Sequence, residues 1–150
     1  MTQPTYTTTT APTNLTGHDV VGTVIFRPLE AKFVTDKDVI GKMDPYCKFK
    51  IGWHTAKSSV AKSQGTHPVW NDSITLQRKH GEQWAKLKCK DRDRITLNDN
   101  LGSVKINLDE VAAKGRVQQW FTLTKRDKVT GEVLVDIEYV SSLTANPTMV

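Results

Sequence analysis

The stretch D-R-D-R-I-T-L-N-D-N-L-G, residues Asp91 to Gly102, decides how this sequence is interpreted. It holds three aspartates at positions i, i+2 and i+8, between two segments of strand-like composition. Carboxylates so close together repel one another, and the repulsion destabilises a loop unless a cation lies among them. Ca²⁺ binds about 6–8 oxygen ligands, so three aspartates cannot complete its coordination. The pattern therefore predicts a calcium site and a second acidic segment that contributes to it.

The second acidic segment is T-D-K-D-V-I-G-K-M-D-P-Y, from Thr35 to Tyr46. Asp38 and Asp44 lie six residues apart in it, around a glycine turn, and Asp44 precedes a proline. A further motif, T-H-P-V-W-N from Thr66 to Asn71, lies between the two acidic segments.

Together the motifs strongly resemble those of a C2 domain, a calcium-dependent phospholipid-binding β-sandwich, over most of the chain between its two tails. The resemblance implies two or three Ca²⁺ ions and five aspartate ligands, namely Asp38, Asp44, Asp91, Asp93 and Asp99. It also implies that aliphatic side chains in the two acidic loops insert into the membrane, namely Val39, Ile40, Ile95 and Leu97.

The fold class follows from alternating segments. In Tyr46 to Gly52 the apolar and lysine side chains alternate, and Trp84 to Lys90 repeats this pattern, which is typical of half-buried strands. Some eight short strands with turns between them predict an all-β, antiparallel sandwich. The resemblance makes this an eight-stranded Greek-key β-sandwich of the permuted type II topology, whose first strand begins near Val20.

Several local features are also predicted. Proline cannot donate to a strand ladder, so Pro28 indicates a break or bulge in the first strand. A weaker strand is expected over Ser58 to Ser63. Another strand is expected over Val69 to Gln77, with Trp70, Ile74 and Leu76 available to the core. One helical turn is expected from Leu108, ended by Gly115.

The domain is predicted to cover residues 19–141, between a flexible Thr/Pro-rich tail at 1–18 and a disordered tail at 142–150. No apolar run approaches the roughly 20 residues that span a bilayer, and the N-terminus lacks the pattern of a signal peptide. A cytoplasmic, monomeric protein is expected, recruited reversibly to membranes. Cys47 and Cys89 lie on the strand faces opposite the lysines and are expected to be buried. Buried free thiols suit a reducing compartment, so free thiols are favoured over a disulfide.

Lysines outnumber acids, and they recur on the predicted outer strand faces. The 21 basic and 16 acidic residues give a net charge of +5, and setting the five aspartate ligands aside leaves +10, that is 21 minus 11. The resemblance implies one basic sheet face that binds anionic lipid, including phosphoinositides. Its members are Lys48, Lys50, Lys57, Lys62, Lys86, Lys88, Lys90 and Lys105.

Other classes of site fit less well. The segment does not fit an EF-hand, because Ile95 stands at an oxygen-ligand position and Thr96 stands where the glycine is required. A zinc site is not indicated, because the four histidines are scattered along the sequence. No motif of a catalytic triad or phosphate loop is present, so no enzymatic activity is expected. Two alternatives stay open: a calcium-independent phosphoinositide- or protein-binding adaptor that uses the lysine face, and a nucleic-acid binder, for which exposed aromatic residues are not evident in the sequence.

The favoured hypothesis is a calcium-regulated signalling module that binds anionic phospholipid membranes. Without calcium the acidic loops repel anionic lipid, and with calcium this charge is reversed. The headgroup preference and the protein partners stay open.

Overall fold

A computed structural model of the chain describes residues 19–34, 43–92 and 100–142. Within these ranges the chain forms eight strands and one short helix. The elements are β1 (Val20–Phe33), β2 (Pro45–Ile51), β3 (His54–Lys57), β4 (Ile74–Lys79), β5 (Trp84–Asp91), β6 (Asn100–Asn107), α1 (Leu108–Lys114), β7 (Arg116–Lys125) and β8 (Lys128–Ser141). The predicted tails lie outside the described residues, except for residue 142.

The strands form two packed layers. The hydrogen-bonded order is β3-β2-β5-β6-β7-β8-β1-β4, and all neighbouring strands are antiparallel. Only one residue pair, Ser103 with Thr124, joins β6 to β7, so the sheet folds over at this point into layers of four strands each. The rings of Phe26 and Phe49 stack between the layers with their centroids 4.4 Å apart. The predicted eight-stranded antiparallel sandwich is confirmed, and the last strand, β8, lies beside the first, as in the permuted topology.

The alternation predicted from the sequence separates core from surface. In β2, Cys47, Phe49 and Ile51 are fully buried, whereas Lys48 and Lys50 point outward. The strand register slips after Pro28, where a break was predicted. Helix α1 is capped by the Asn107 side chain, which accepts hydrogen bonds from two backbone N–H groups, and it ends at a glycine with φ of 79°.

The expected strand over residues 58–63 is wrong. The β2 hairpin partner is the shorter β3, and the chain after it follows the edge of β2 irregularly, because Asp72 holds the backbone N–H and the hydroxyl of Ser59. Ser63 has a φ of 55°, which a strand does not accommodate. The next strand, β4, begins at Ile74 rather than Val69, although Trp70 is buried as predicted.

The two cysteines are direct cross-strand neighbours. Cys47 pairs with Cys89 in the β2–β5 register, both side chains are fully buried, and the Sγ atoms are 3.9 Å apart as free thiols. Burial raises the pKa of the Cys47 thiol, and the hydrogen bond with Cys89 raises it further. The thiol therefore stays protonated at neutral pH and acts as a core residue.

A charged cluster stabilises the outer face of the second layer. The buried carboxylate of Asp136 accepts hydrogen bonds from Arg116 at 3.0 and 3.1 Å and from Arg27 at 3.0 Å. The hydrogen bonds from Arg116 lower the pKa of Asp136, burial opposes this shift, and Arg27 lowers the pKa further. Because the folded pKa lies below the unfolded one, this stabilisation is present above about pH 4 and is lost as the pH falls through the folded pKa.

We therefore expect Asp136→Asn to reduce the free energy of unfolding at pH 7 by about 1–3 kcal/mol, since it weakens charge-assisted hydrogen bonds. The decrease of the unfolding free energy with falling pH should also be less steep in this variant. Urea denaturation between pH 3 and pH 7 measures both effects. Glu138→Gln is the control, because Glu138 also contacts Arg27 but is more exposed. Equal acid slopes for wild type and Asp136→Asn would contradict the prediction.

Candidate functional site

Two of the five predicted calcium ligands meet at one end of the sandwich. Asp44 directly precedes β2 and Asp91 is the last residue of β5, where Pro45 and Asp91 are register partners. The backbone N–H of Asp44 donates to Oδ1 of Asp91 at 3.1 Å, and the backbone N–H of Arg92 donates to the carbonyl of Asp44 at 3.0 Å. The structure thus joins the end of one acidic segment to the start of the other, as the sequence predicted.

The environments of the two carboxylates differ. Asp91 is only 2% exposed, whereas Asp44 is half-buried and its Oδ1 accepts the backbone N–H of Ser63 at 2.6 Å. Burying a carboxylate is costly unless hydrogen bonds or a cation compensate it. Asp91 accepts such a hydrogen bond from the backbone N–H of Asp44, and a cation bound at this end would add to that compensation.

The T-H-P-V-W-N motif holds this end together. The carbonyl of Thr66 accepts the N–H of Phe33 at 2.9 Å, and that of Pro68 accepts the N–H of Ala31 at 3.1 Å. The buried Trp70 donates its indole N–H to the carbonyl of Pro45 at 3.3 Å. The motif therefore links the end of β1 to the start of β2, and its role is structural.

The remaining predicted ligands lie outside the described residues, as do the four predicted insertion side chains. These are Asp38, Asp93 and Asp99, and Val39, Ile40, Ile95 and Leu97. Segment 35–42 connects β1 to Met43 and segment 93–99 connects Arg92 to β6, so both leave and return at the end where Asp44 and Asp91 meet. Among the described residues, no group of three or more His, Cys, Asp or Glu side chains is placed to hold a metal.

The lysines form cross-strand rows on the outer face of the first layer. In one row Lys57, Lys48 and Lys88 are successive register partners across β3, β2 and β5. The second row holds Lys50, Lys86 and Lys105 across β2, β5 and β6. Directly opposed side chains lie about 4.5–5.5 Å apart at Cβ, and like charges at this distance destabilise a sheet. An anionic ligand on this face would relieve that cost.

The other predicted members of the lysine face are more peripheral. Lys90 pairs with Tyr46 in the β2–β5 register and lies nearest the acidic end. Lys62 follows β3 in the irregular segment and is exposed, so it extends the edge of the face rather than a row. A shallow depression of about 170 Å³ lies between the two rows, lined by Lys48, Lys50, Lys86 and Lys88.

Sequence reasoning missed the aromatic residues of this face. Trp53, in the β2–β3 turn, is 93% exposed, and Trp84 is 45% exposed on the same side of β5 as Lys86. The absence of evident exposed aromatics was therefore a wrong expectation. Two sequence patterns indicated that these tryptophans are exposed. Trp53 follows a turn glycine, and Trp84 is in phase with the outward lysines of its strand.

Comparisons with known proteins identify the family. A family model described as C2 domain matches residues 17–123. The chain belongs to the C2 domain family. This C2 domain is 30% identical to 16 kDa phloem protein 2 of Arabidopsis thaliana over 122 residues, which cover 81% of this chain and 83% of the relative. It is 28% identical to elicitor-responsive protein 3 of Oryza sativa subsp. japonica, with 80% and 84% coverage.

Solved structures agree with this assignment. A C2 domain-containing protein from a putative elicitor-responsive gene matches with a TM-score of 0.74 and 28% identity, covering 87% of this chain and 95% of the other. The paired C2 domains of extended synaptotagmin 2 in a calcium-bound form match with a TM-score of 0.69 and 28% identity, covering 81% and 46%. No helix within the described ranges of this C2 domain has the length and hydropathy to cross a bilayer.

Proposed function

We propose that this C2 domain is a calcium-regulated module without enzymatic activity that binds anionic phospholipid membranes from the cytoplasm. The observation that supports this most is the junction of Asp44 and Asp91 at the end of the sandwich from which both acidic segments emerge. The calcium-bound form of a structural neighbour supports the choice of cation.

The donor chemistry at this end fits Ca²⁺. Asp44 and Asp91 offer carboxylate oxygens, which hard cations such as Ca²⁺ prefer. The thiols are unsuitable for a softer metal, because Cys47 and Cys89 are buried in the core and the Cys47 thiol stays protonated. In this proposal the ions are held by Asp38, Asp44, Asp91, Asp93 and Asp99. Bound calcium supplies positive charge and open coordination positions for lipid phosphate oxygens.

The chain's own residues then determine how the membrane is bound. Without a cation the five carboxylates repel an anionic leaflet, whereas the remainder of the chain has a net charge of +10, that is 21 minus 11. Each lysine near such a leaflet contributes about 1 kcal/mol of attraction. Insertion of the loop side chains Val39, Ile40, Ile95 and Leu97 adds apolar burial, worth about 1.5–3 kcal/mol for each side chain.

A second candidate function rests on the lysine rows. The opposed lysines of β2, β5 and β6 favour a calcium-independent adaptor that binds a phosphoinositide or an acidic protein partner. This alternative needs no metal, and substitution of the aspartates would leave it unchanged.

One substitution measures the cost of the lysine rows. Lys86 has a lysine on each side, Lys50 and Lys105, so we expect Lys86→Gln to raise the free energy of unfolding by about 0.2–1 kcal/mol. The same variant should bind anionic vesicles about fivefold more weakly. Urea denaturation and vesicle co-sedimentation test the two parts. A variant that is less stable and equally well bound would show that the rows are a passive surface.

The proposed function is tested by co-sedimentation with phosphatidylserine-containing vesicles, with calcium or with a chelator. Wild type should sediment strongly only with calcium, and Asp91→Asn/Asp93→Asn should lose this calcium-dependent sedimentation. The control Asp19→Asn/Glu110→Gln removes two negative charges from the opposite end and should behave as wild type. Equal sedimentation of wild type in chelator and in calcium would instead support the adaptor.

A further inference from the structure

Strand β7 has a long edge that no strand covers within the described part of the chain. On one side β7 pairs with β8 along its length, whereas on the other side only Thr124 pairs, with Ser103 of β6. A groove of about 260 Å³ lies between β6, α1 and β7. Gln119 is exposed although it is in phase with the buried Phe121 and Leu123, so the groove is open to solvent.

The backbone groups of four residues point out of this edge. The N–H of Tyr139 in β8 donates to the carbonyl of Gly115 at 2.8 Å. Hydrogen-bonded residues alternate along an antiparallel pair, so residues 117, 119 and 121 also direct their backbone groups to β8. The residues between them direct their N–H and C=O groups to the open side, and these are Arg116, Gln118, Trp120 and Thr122.

The open edge of β7 lacks the features that usually stop a strand from pairing with another chain. Edges are commonly protected by short length, lysine, proline, a bulge or an inward-pointing charge. Strand β3 has only 4 residues and ends in Lys57, and β4 carries Arg78 and Lys79. Residues 117–122 of β7 contain neither a charge nor a proline, and their register with β8 has no bulge. This edge is therefore available to a partner strand.

A second copy of β7 fits the open edge in an antiparallel register centred on Gln119. In this register Gln119 lies opposite itself on a two-fold axis. Arg116 then lies opposite Thr122 of the other copy, and Gln118 lies opposite Trp120 of the other copy. These are the four residues whose backbone groups point outward, so the register satisfies all of them with about eight hydrogen bonds between the two strands.

The side chains that meet in this register are compatible. Val117 lies opposite Phe121 of the other copy, and pairs of β-branched and aromatic residues stabilise antiparallel strands. The two Gln119 side chains meet on the axis, where each amide can both donate and accept a hydrogen bond. The one charged residue, Arg116, meets Thr122, so no like charges oppose each other across the strands.

An extended segment of a different protein is the other occupant that an open edge accepts. Charge does not select such a segment here, because the groove carries the basic Lys105 and Lys114 together with the acidic Glu110. The sequence of β7 does select a partner, since its outward residues match their own symmetry mates. The edge therefore favours a second copy of this chain.

We propose that the open edge of β7 is an interface between two copies of the chain, whose β7 strands pair antiparallel about Gln119 to form one continuous sheet. This interface departs from the monomer expected from the sequence. It uses neither the acidic end nor the lysine rows, so it is independent of the proposed calcium function. One strand pair buries a small area, so we expect a reversible dimer with a dissociation constant in the micromolar range.

The test is analytical ultracentrifugation of the full chain in chelator, from about 1 µM to about 1 mM protein. Wild type should shift from monomer to dimer over this range. Gln118→Pro removes an N–H that points out of the edge and leaves the hydrogen bonds between β7 and β8 in place, so it should weaken dimerisation by about tenfold or more. Gln118→Ala is the matched control, because it keeps this N–H, and it should dimerise within about twofold of wild type.

A charge exchange at the two-fold axis tests the register itself. Gln119→Lys and Gln119→Glu each place like charges opposite each other, so each variant alone should dimerise about two- to fivefold more weakly than wild type at low salt. An equal mixture of the two variants should dimerise at least as strongly as wild type, because opposite charges then meet. This rescue requires residue 119 to face its own copy.

Three results would overturn the proposal. Wild type that stays monomeric at about 1 mM has no such interface. Dimerisation that Gln118→Pro and both charge variants leave unchanged lies elsewhere on the surface. Slow hydrogen exchange at the amides of residues 118 and 120 in the monomer would show that another segment of the same chain already occupies the edge.

Discussion

The unfolding temperature of the wild-type domain should be about 5–11 °C higher in calcium than in chelator, when the calcium concentration is about 100 times the dissociation constant for calcium. A ligand at this excess stabilises the folded state by about 2.7 kcal/mol, and a domain of this size gains about 2–4 °C per kcal/mol. We expect Asp91→Asn to abolish this rise, because Asp91 lies at the junction of both acidic segments. Thermal unfolding, monitored by circular dichroism, measures this rise in the unfolding temperature.

The same variant separates ligand loss from misfolding. The asparagine side chain that replaces Asp91 keeps an oxygen able to accept the N–H of Asp44, and it removes a charge from a position that is only 2% exposed. We therefore expect Asp91→Asn in chelator to be at least as stable as wild type. Glu110→Gln, at the opposite end, should keep the full calcium effect. A calcium-dependent rise in Asp91→Asn equal to that of wild type would show that Asp91 is not a ligand.

Phe49→Ala should cost about 3–5 kcal/mol of unfolding free energy. Phe49 is fully buried and its ring stacks on Phe26 across the two layers, so truncation leaves a cavity where the layers meet. Guanidinium denaturation measures the loss as a shift of the midpoint. Phe49→Leu keeps most of the apolar volume and should lose less. A loss below about 1 kcal/mol for Phe49→Ala would mean that the layers do not depend on this contact.

The strand pattern was predictable where one face is buried and the other is charged. In β2 and β5 the lysines alternate with buried residues, so period-two alternation fixed both the strands and their faces. Residues 58–63 were mispredicted because they have no such alternation. There the side chain of Asp72 and the backbone conformation of Ser63 determine the local structure, and neither is visible in hydropathy.

The candidate site was predictable in part. The spacing of the aspartates and the order of the motifs predicted that the two acidic segments meet, and the contact between Asp44 and Asp91 agrees with this. Asp38, Asp93 and Asp99 stay predictions as ligands. The clustering of Trp53 and Trp84 was not predictable, because it depends on which strand ends are neighbours, a property of the sheet order.

The most direct test of the central claim is a calorimetric calcium titration of the purified protein, with and without phosphatidylserine vesicles. If calcium and membrane bind at linked sites, each must raise the affinity of the domain for the other by the same factor. Such factors are typically about 5–150. We predict binding of calcium by the free domain and an apparent affinity at least about fivefold higher with vesicles. No calcium binding, or an affinity that vesicles leave unchanged, would contradict a calcium-regulated membrane module.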